Sequence, residues 1–307
     1  MNPKDIILGT VFCAQTAFGV LGNSFLICLF LCTFLTGRKM RPIDTILVQL
    51  ACFNSLLLLS KGIPQTMTAL GWKNFLDDKG CIIFFYFHKV SRGLSLSITS
   101  LLSGFQAITI SPSNSSWAEI KVRAPKYIIS TSFFCCIIHL LFNSIVFVKF
   151  KSLQGYRNYS ELHSYGYCPG LEATKVGDAF FGIVASLRDA AFLGLMVLAS
   201  GYMIFFLYGH HKRNQYLYTV RLSPRASPKT KAISSILLLV STFFCFYLLN
   251  SILISYMYFR KPRLWLMQCS IYLSVCFPTF SPFVLISSDS HLLQYCSDLW
   301  RRKVPHH

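Results

Sequence analysis

Charged side chains are scarce in this chain of 307 residues, and hydrophobic side chains are abundant. Asp, Glu, Lys and Arg together make up 13% of the residues, and hydrophobic residues make up 53%. A soluble protein carries about 25% charged residues. The mean hydropathy of the chain is +0.51. The shortage of charge excludes an ordinary soluble domain and is typical of an integral membrane protein.

The sequence also lacks the motifs of common catalytic and metal sites. It has no Walker loop, no G-x-S-x-G and no Cys-x-x-Cys, and none of its eight His residues belongs to an H-E-x-x-H pattern. Its Ser, His and Asp residues fall on different predicted faces of the membrane, which argues against a catalytic triad. We therefore expect a protein that is not an enzyme and that binds no metal and no cofactor.

Acidic residues are far fewer than basic ones. The chain has 11 Asp and Glu against 29 Lys and Arg, which gives a formal net charge of +18. Such an excess can indicate a nucleic-acid partner. Here the basic residues occupy short gaps between apolar runs rather than one patch or one helical stripe. We expect membrane lipids and a cytosolic protein as partners, and no nucleic acid.

Seven apolar runs are each long enough to cross a bilayer as a helix. They predict one all-α, seven-transmembrane domain over residues 1–307. The segment 111–126 is expected to be a loop, and Lys61 and Pro64 are expected to extend the second helix to the membrane surface. An odd number of helices argues mildly against transporters built from two equal halves. The predicted helices cover approximately residues 6–35, 43–60, 81–110, 127–148, 179–208, 232–258 and 264–287.

Basic residues interrupt the third apolar run, at positions 88, 89 and 92. Such residues are costly inside an apolar span and commonly mark a functional interior. His88 and Arg92 are four residues apart and therefore share one face of the helix. Lys89 faces away from His88, and the alternative for it is that its side chain reaches the membrane surface.

Two cysteines and a glycosylation sequon predict the orientation in the membrane. Cys81 and Cys168 are predicted at the same membrane face, and a disulfide there requires an oxidising compartment, so this face is outside. The sequon that begins at Asn158 lies on that face too, whereas a competing sequon at Asn114 lies on the opposite face. We expect Asn158 to be the glycosylated residue and the amino terminus to be outside. The distribution of basic loop residues favours this orientation weakly.

Seven helices in this orientation, with a disulfide from the third helix to a loop, resemble a G-protein-coupled receptor. Gly22-Asn23 and Leu50-Ala51 are similar to the first two helices of the rhodopsin-like class. Other hallmarks of that class are replaced. Asn54 stands at the position of its sodium-binding Asp, Gln106 at the Arg of its Asp-Arg-Tyr triplet, and Ser281-Pro282 at its Asn-Pro motif.

These replacements resemble those found in the vomeronasal type-1 receptors, and the resemblance to this family covers essentially the whole chain. There are two departures: Lys89 stands where the family usually has Arg, and Lys229-Thr-Lys231 stands where it usually reads Glu-Thr-Arg. The matching stretches are GVLGNSFLI (19–27), RPIDTILVQLACFNSLLLLSKGIPQTMTALG (41–71), GCIIFFYFHKVSRGLSLSITSLLSGFQAITISP (80–112), WAEIKVRAPKYI (117–128), YGYC (165–168), RLSPRASPKTKA (221–232) and CFPTFSPFVLISSDSH (276–291).

The resemblance implies a chemosensory receptor in the plasma membrane of chemosensory neurons. Such a receptor binds a small pheromone-like ligand in the outer half of the helix bundle and activates a heterotrimeric G protein, of the Gi type. The nearest alternative is a bitter-taste-type receptor, which the second loop and the LSPRASP motif disfavour. A more remote alternative is a membrane channel or transporter, for which no ring of acidic residues and no pair of broken helices is visible.

Candidate ligand contacts come from polar and aromatic residues of the third and fifth helices. A guanidinium in a dry site suits a carboxylate or a sulfate, so we expect a small, largely apolar ligand with an anionic or polar group. The alternative for Arg188 is an ion pair with Asp189 or Asp178, and the alternative for Phe85 is packing or lipid contact. The candidates are Phe85, His88, Arg92, Arg188 and Asp189.

Other interior residues are candidates for the activation switch. For the two Asn residues the alternative is an ordinary hydrogen bond between helices. The same interpretation applies to His139 and Asn143, which share one face of the fourth helix. The switch candidates are Asn23, Asn54, Gln106 and Pro282.

The third inner loop is the most basic segment and is a candidate G-protein contact. The alternative is that its positive charge only fixes the orientation of the protein in the membrane, by the positive-inside rule. Residues 289–303 are predicted to form a short membrane-surface helix, in which Cys296 is a weak palmitoylation candidate. The G-protein contact candidates are Arg221, Arg225, Lys229 and Lys231.

Overall fold

The structure is a computed structural model that describes residues 3–37, 40–72, 75–111, 117–145, 147, 175–217, 228–259 and 264–288. These residues form seven α-helices and no β-strand. Each helix contains a stretch that is long and apolar enough to cross a membrane. The predicted all-α bundle of seven transmembrane helices is confirmed. The helices are α1 Pro3–Leu35, α2 Pro42–Ala69, α3 Asp78–Ile110, α4 Trp117–Asn143, α5 Lys175–Leu217, α6 Pro228–Phe259 and α7 Leu264–Ser288.

Several helix ends differ from the predicted ones. α2 continues to Ala69 with Pro64 inside it. α4 begins at Trp117, inside the stretch predicted as a loop, and ends at Asn143 rather than at 148. α5 extends beyond 179–208 in both directions. An apolar run marks only the part of a helix that the bilayer requires, and backbone hydrogen bonding can continue into polar turns beyond it.

α3 is the central helix of the bundle. It packs against α2, α4, α5 and α6, and its membrane span is the most buried of the seven, whereas the span of α5 is the least buried. Large apolar side chains of α3 and of the other helices form one core. Members of this core are Leu26, Phe30, Leu50, Leu96, Ile98, Leu102, Met196, Met203, Leu239 and Phe277.

The bundle has two ends, which we name after the first and last parts of α3. At the Cys81 end, α2 and α6 end while α3 and α7 begin. Side chains join these helices there, since Gln65 donates to Gln268 at 3.0 Å and Ser270 donates to Asn250 at 2.7 Å. The Ile110 end is the opposite end.

Candidate functional site

A cavity lies between α2, α3, α6 and α7 and encloses about 460 Å³ of space, part of it open. Most of its wall is apolar, with a few polar side chains. The lining residues are Leu57 from α2, Arg92, Ser95 and Leu96 from α3, Phe243, Phe246, Tyr247 and Asn250 from α6, and Leu273, Ser274, Phe277 and Pro278 from α7.

Aromatic rings form the deep part of this cavity. The rings of Phe243 and Phe277 meet edge to face, with centroids 4.5 Å apart and planes at 83°. Phe243 is one helical turn farther from the Cys81 end than Tyr247. Aromatic pairs of this geometry stabilise a fold by more than the burial of their surface area alone provides. The deep end of the cavity is therefore an apolar, aromatic surface.

Arg92 is the cationic residue of the cavity wall. Its guanidinium carbon lies 5.5 Å from the centre of the Tyr247 ring, a distance at which the ring face attracts a cation. The electrostatic surroundings are positive, because His88 lies within electrostatic range of Lys61, Lys89 and Arg92. An anionic group would be attracted to this end of the bundle.

Tyr247 also connects the cavity to an ion pair on α5. Its hydroxyl donates to Oδ2 of Asp189 at 3.5 Å, and Nη2 of Arg188 lies 2.8 Å from Oδ1 of the same carboxylate. The side chains of Arg188 and Asp189 are only 19% and 15% exposed. The Arg188 guanidinium also lies 5.2 Å from the ring of Phe142. The structure thus contains the ion pair that the sequence offered as an alternative, and Nη1 of Arg188 is buried without a hydrogen bond.

Beneath the cavity lies a polar network that joins three helices. The Nδ2 atom of Asn54 donates to the Ser281 hydroxyl at 2.9 Å, and the Ser95 hydroxyl donates to Oδ1 of Asn54 at 2.7 Å. Asn54 is fully buried, so its amide depends on these two partners. Ser95 also lines the cavity, so the network begins at the cavity wall.

Asn23 connects α1 to the same region of α7. Its Nδ2 atom donates to the carbonyl of Pro278 at 2.9 Å and to the carbonyl of Gly19 at 2.8 Å. Pro282 lies four residues after Pro278 and has no backbone N–H, so it cannot bond that carbonyl as a helix otherwise would. The amide of Asn23 supplies the missing bond. Both predicted interior Asn residues therefore form hydrogen bonds between helices.

At the Ile110 end, hydrogen bonds join α3 to its neighbours. Gln106 is 7% exposed. The hydroxyls of Ser111 and Tyr202 lie 3.0 Å apart and link α3 to α5. Nζ of Lys121 on α4 donates to the Ser111 carbonyl at 3.0 Å. The end of α3 is thus joined to both α4 and α5.

Among the predicted ligand contacts, Arg92 lines the cavity and Asp189 reaches it through Tyr247. Phe85, His88 and Arg188 are not among its lining residues, and the ring of Phe85 lies 5.2 Å from Nζ of Lys89. The roles of these residues stay predictions.

The expectation for α4 was wrong in one respect. Asn143 donates to the carbonyl of His139 within the same helix, at 2.8 Å. Both imidazole nitrogens of His139 are buried and form no hydrogen bond. The ring instead stacks on Phe192 of α5. Aromatic packing therefore replaces the expected polar bond between helices.

Some predicted residues cannot be placed. Cys81 is disulfide-bonded, but its expected partner Cys168 lies outside the described residues, as does Asn158. Lys229 and Lys231 lie at the start of α6, and their side chains are not described. The predicted sites that also fall outside the described residues are Arg221, Arg225, Cys296 and the surface helix 289–303.

The cavity includes polar residues that the sequence interpretation missed. Tyr247 and Asn250 are three residues apart in α6 and so lie on one face. Polar residues at helical spacing inside an apolar span are a signal for an interior face, and this signal was present in the sequence. The partner of Asn250, Ser270 on α7, could not be identified because sequence spacing does not show which helices pack together.

Comparison with known proteins shows what kind of protein carries this site. The model of the vomeronasal organ pheromone receptor family matches residues 6–298. The chain is 43% identical to vomeronasal type-1 receptor 1 of Homo sapiens over 301 residues, which cover 96% of this chain and 84% of that protein. It is 39% identical to vomeronasal type-1 receptor 4 of Homo sapiens over 303 residues, with coverages of 98% and 100%. It is 30% identical to vomeronasal type-1 receptor 53 of Mus musculus over 305 residues, with coverages of 98% and 96%. With a match over nearly its whole length, this chain belongs to the vomeronasal organ pheromone receptor family.

Proposed function

We propose that this receptor binds a small pheromone-like ligand in the cavity between α2, α3, α6 and α7 and activates a heterotrimeric G protein, of the Gi type, at the Ile110 end. Its family and its seven membrane-spanning helices make it a multi-pass receptor of the plasma membrane. In this proposal the Cys81 end and the amino terminus face outside, and the carboxyl terminus faces the cytosol.

The observation that carries the proposal is the contact between the cavity and the buried polar network. Ser95 and Pro278 line the cavity, and they also bond to Asn54 and Asn23. A ligand that shifts α3 relative to α7 would change hydrogen bonds that join four helices. To move a receptor from 1:99 to 99:1 between two states, a ligand must favour one state by about 5.5 kcal/mol.

The chemistry of the cavity wall supports a largely apolar ligand with one anionic or polar group. The apolar part would lie against Phe243 and Phe277, and the anionic group would accept hydrogen bonds from the Arg92 guanidinium. Arg188 would assist from α5 through its unpartnered Nη1. His88 and Phe85 lie nearer the Cys81 end on α3, and in this proposal they would contact a ligand on its way to the cavity.

On the cytosolic side, the basic residues between α5 and α6 would contact the G protein and the acidic lipid surface. In this proposal the switch consists of Asn23, Asn54 and their hydrogen-bond partners, together with Pro282 and Gln106. The contact residues would be Arg221, Arg225, Lys229 and Lys231.

The test is a concentration–response measurement of Gi activation in cells that express the receptor, with a panel of volatiles, steroids and steroid sulfates. Arg92→Ala and Arg188→Ala should each lower the potency of an activating anionic ligand. The loss should be at least tenfold for Arg92→Ala, because a hydrogen bond to a charged group contributes about 1.5–3 kcal/mol. Pertussis toxin, which inactivates Gi α subunits, should abolish the response.

Lys89→Ala is the matched control, since it removes the same charge from α3 at a side chain that does not line the cavity. It should change potency much less than Arg92→Ala. Unchanged potency in both arginine variants would contradict the ligand site, and a response that survives pertussis toxin would contradict Gi coupling.

A further inference from the structure

The cavity wall has few hydrogen-bond donors left for a ligand. Three of its side chains carry hydroxyls, and all three protons are already used. Ser95 donates to Asn54, Ser274 donates to the carbonyl of Ile271 at 2.6 Å, and Tyr247 donates to Asp189. Among the lining residues, the side-chain donors that remain are therefore those of Arg92 and Asn250.

The amide of Asn250 is held in one orientation. Ser270 donates its hydroxyl proton to Oδ1 of Asn250 at 2.7 Å, and both residues are buried. Because the oxygen accepts this bond, the group that Asn250 offers to a ligand is its nitrogen, which can only donate. Ser270 thus acts as a positioning residue for Asn250.

The two donors line the same cavity. Asn250 is three residues after Tyr247, so their Cβ atoms are about 5–6 Å apart on one helix face, and the Tyr247 ring lies against Arg92. The two donors belong to different helices, Arg92 to α3 and Asn250 to α6. Two separate acceptor groups fill such a pair of donors better than a single acid does.

We propose that Asn250 is a specificity-determining residue that selects ligands with a second, uncharged acceptor oxygen close to their anionic group. The ligand class is an anionic amphiphile whose ketone, ester or ether oxygen lies a few bonds from the acid. The acid binds Arg92, the second oxygen accepts from Nδ2 of Asn250, and the hydrocarbon lies against Phe243 and Phe277. This inference rests on the proposed function, because it assumes that the cavity binds an acid.

The test compares dodecanoic acid with oxododecanoic acids that carry the ketone near the acid, in the middle of the chain or at the far end. Potency is measured as G-protein activation by the full-length receptor. The isomer with the ketone near the acid should be about tenfold more potent than dodecanoic acid, as one additional hydrogen bond allows. Asn250→Leu should abolish this difference between the two acids.

Ser270→Ala keeps the amide of Asn250 but removes the hydroxyl that orients it. The preference for the isomer with the ketone near the acid should therefore decrease without disappearing. A purely structural role for Asn250 would lower the potency of every acid equally, and that result overturns the inference. Equal potency of all the acids on the wild-type receptor overturns it too, while the proposed function survives. If no acid activates the wild-type receptor, the proposed anionic ligand fails and the inference fails with it.

Discussion

The two halves of α3 satisfy their polar side chains in opposite ways. In the half towards Cys81, the cationic groups of Lys89 and Arg92 lie 5.2 and 5.5 Å from the centres of aromatic rings. In the half towards Ile110, the buried polar side chains are mostly small and uncharged. Five of them are 2% exposed or less, namely Ser95, Ser97, Thr99, Ser100 and Ser103.

These hydroxyls find partners without any charged group. Thr99 and Ser103 donate to carbonyls of α3 itself, at 2.7 and 3.0 Å. Ser95 donates to Asn54 of α2, and Ser100 donates to the carbonyl of Phe192 on α5 at 3.0 Å. Small hydroxyl residues let membrane helices approach closely. In the proposed function, the charged groups near the cavity serve recognition, whereas neutral hydrogen bonds join the helices in the half towards Ile110.

Removal of Asn54 should have the largest effect on this neutral half. Asn54→Leu takes away the partner of Ser95 and the partner of Ser281, both buried. The loss should be about 3 kcal/mol, because each buried polar group left unpaired costs about 1–3 kcal/mol. The measurement is the thermal midpoint of the purified receptor in lipid nanodiscs.

Ser55→Ala is the control for Asn54→Leu. Its hydroxyl donates only to the carbonyl of Ala51 in the same helix, so the variant should melt close to wild type. If Asn54→Leu melts at the same temperature as Ser55→Ala, the network does not join the helices.

Two glycines of α3 test how closely each half packs. A Cβ atom at Gly93 would collide with Nδ1 and Cε1 of the His139 ring, whereas a Cβ at Gly104 would meet nothing within 4 Å. Gly93→Ala should therefore destabilise the receptor by about 2 kcal/mol through overpacking. Gly104→Ala should be neutral or stabilising by up to about 1 kcal/mol, because Ala favours the helix.

The measurement for both glycine variants is again thermal unfolding. His139 cannot move away without a cost, since its ring is 1% exposed and stacks on Phe192. Equal midpoints for Gly93→Ala and Gly104→Ala would show that α4 yields easily and that α3 is not packed more tightly at Gly93 than at Gly104.

Much of the fold could be predicted from the sequence because the bilayer imposes a simple rule. Each span must be about 20 apolar residues long, and all seven predicted spans are present as helices. The interior positions of Asn23 and Asn54 were predictable for a related reason, since an amide inside a membrane needs a partner. The motif-based resemblance to vomeronasal type-1 receptors is confirmed by the family match.

The site itself was only partly predictable. Helical spacing shows that Tyr247 and Asn250 share a face, but not that this face meets Arg92 of α3 and Ser270 of α7. The ion pair of Arg188 with Asp189 could be predicted as an alternative role for Arg188, because the two residues are adjacent in the sequence. The packing of His139 on Phe192 was not, because it depends on how closely α4 and α5 approach α3.

The smallest effect should come from the Ile110 end, where one neutral hydrogen bond joins α3 to α5. Tyr202→Phe removes the hydroxyl that bonds to Ser111 and leaves the ring in place. If this bond stabilises the resting arrangement by about 1 kcal/mol, its removal should raise basal G-protein activity about fivefold.

Tyr208→Phe is the matched control, because Tyr208 lies on the same helix and is 67% exposed. A basal activity equal in both variants would show that the bond is the same in the resting and active states. The coupling between the two ends of α3 would then depend on the Asn54 network, where a neutral bond is buried more deeply.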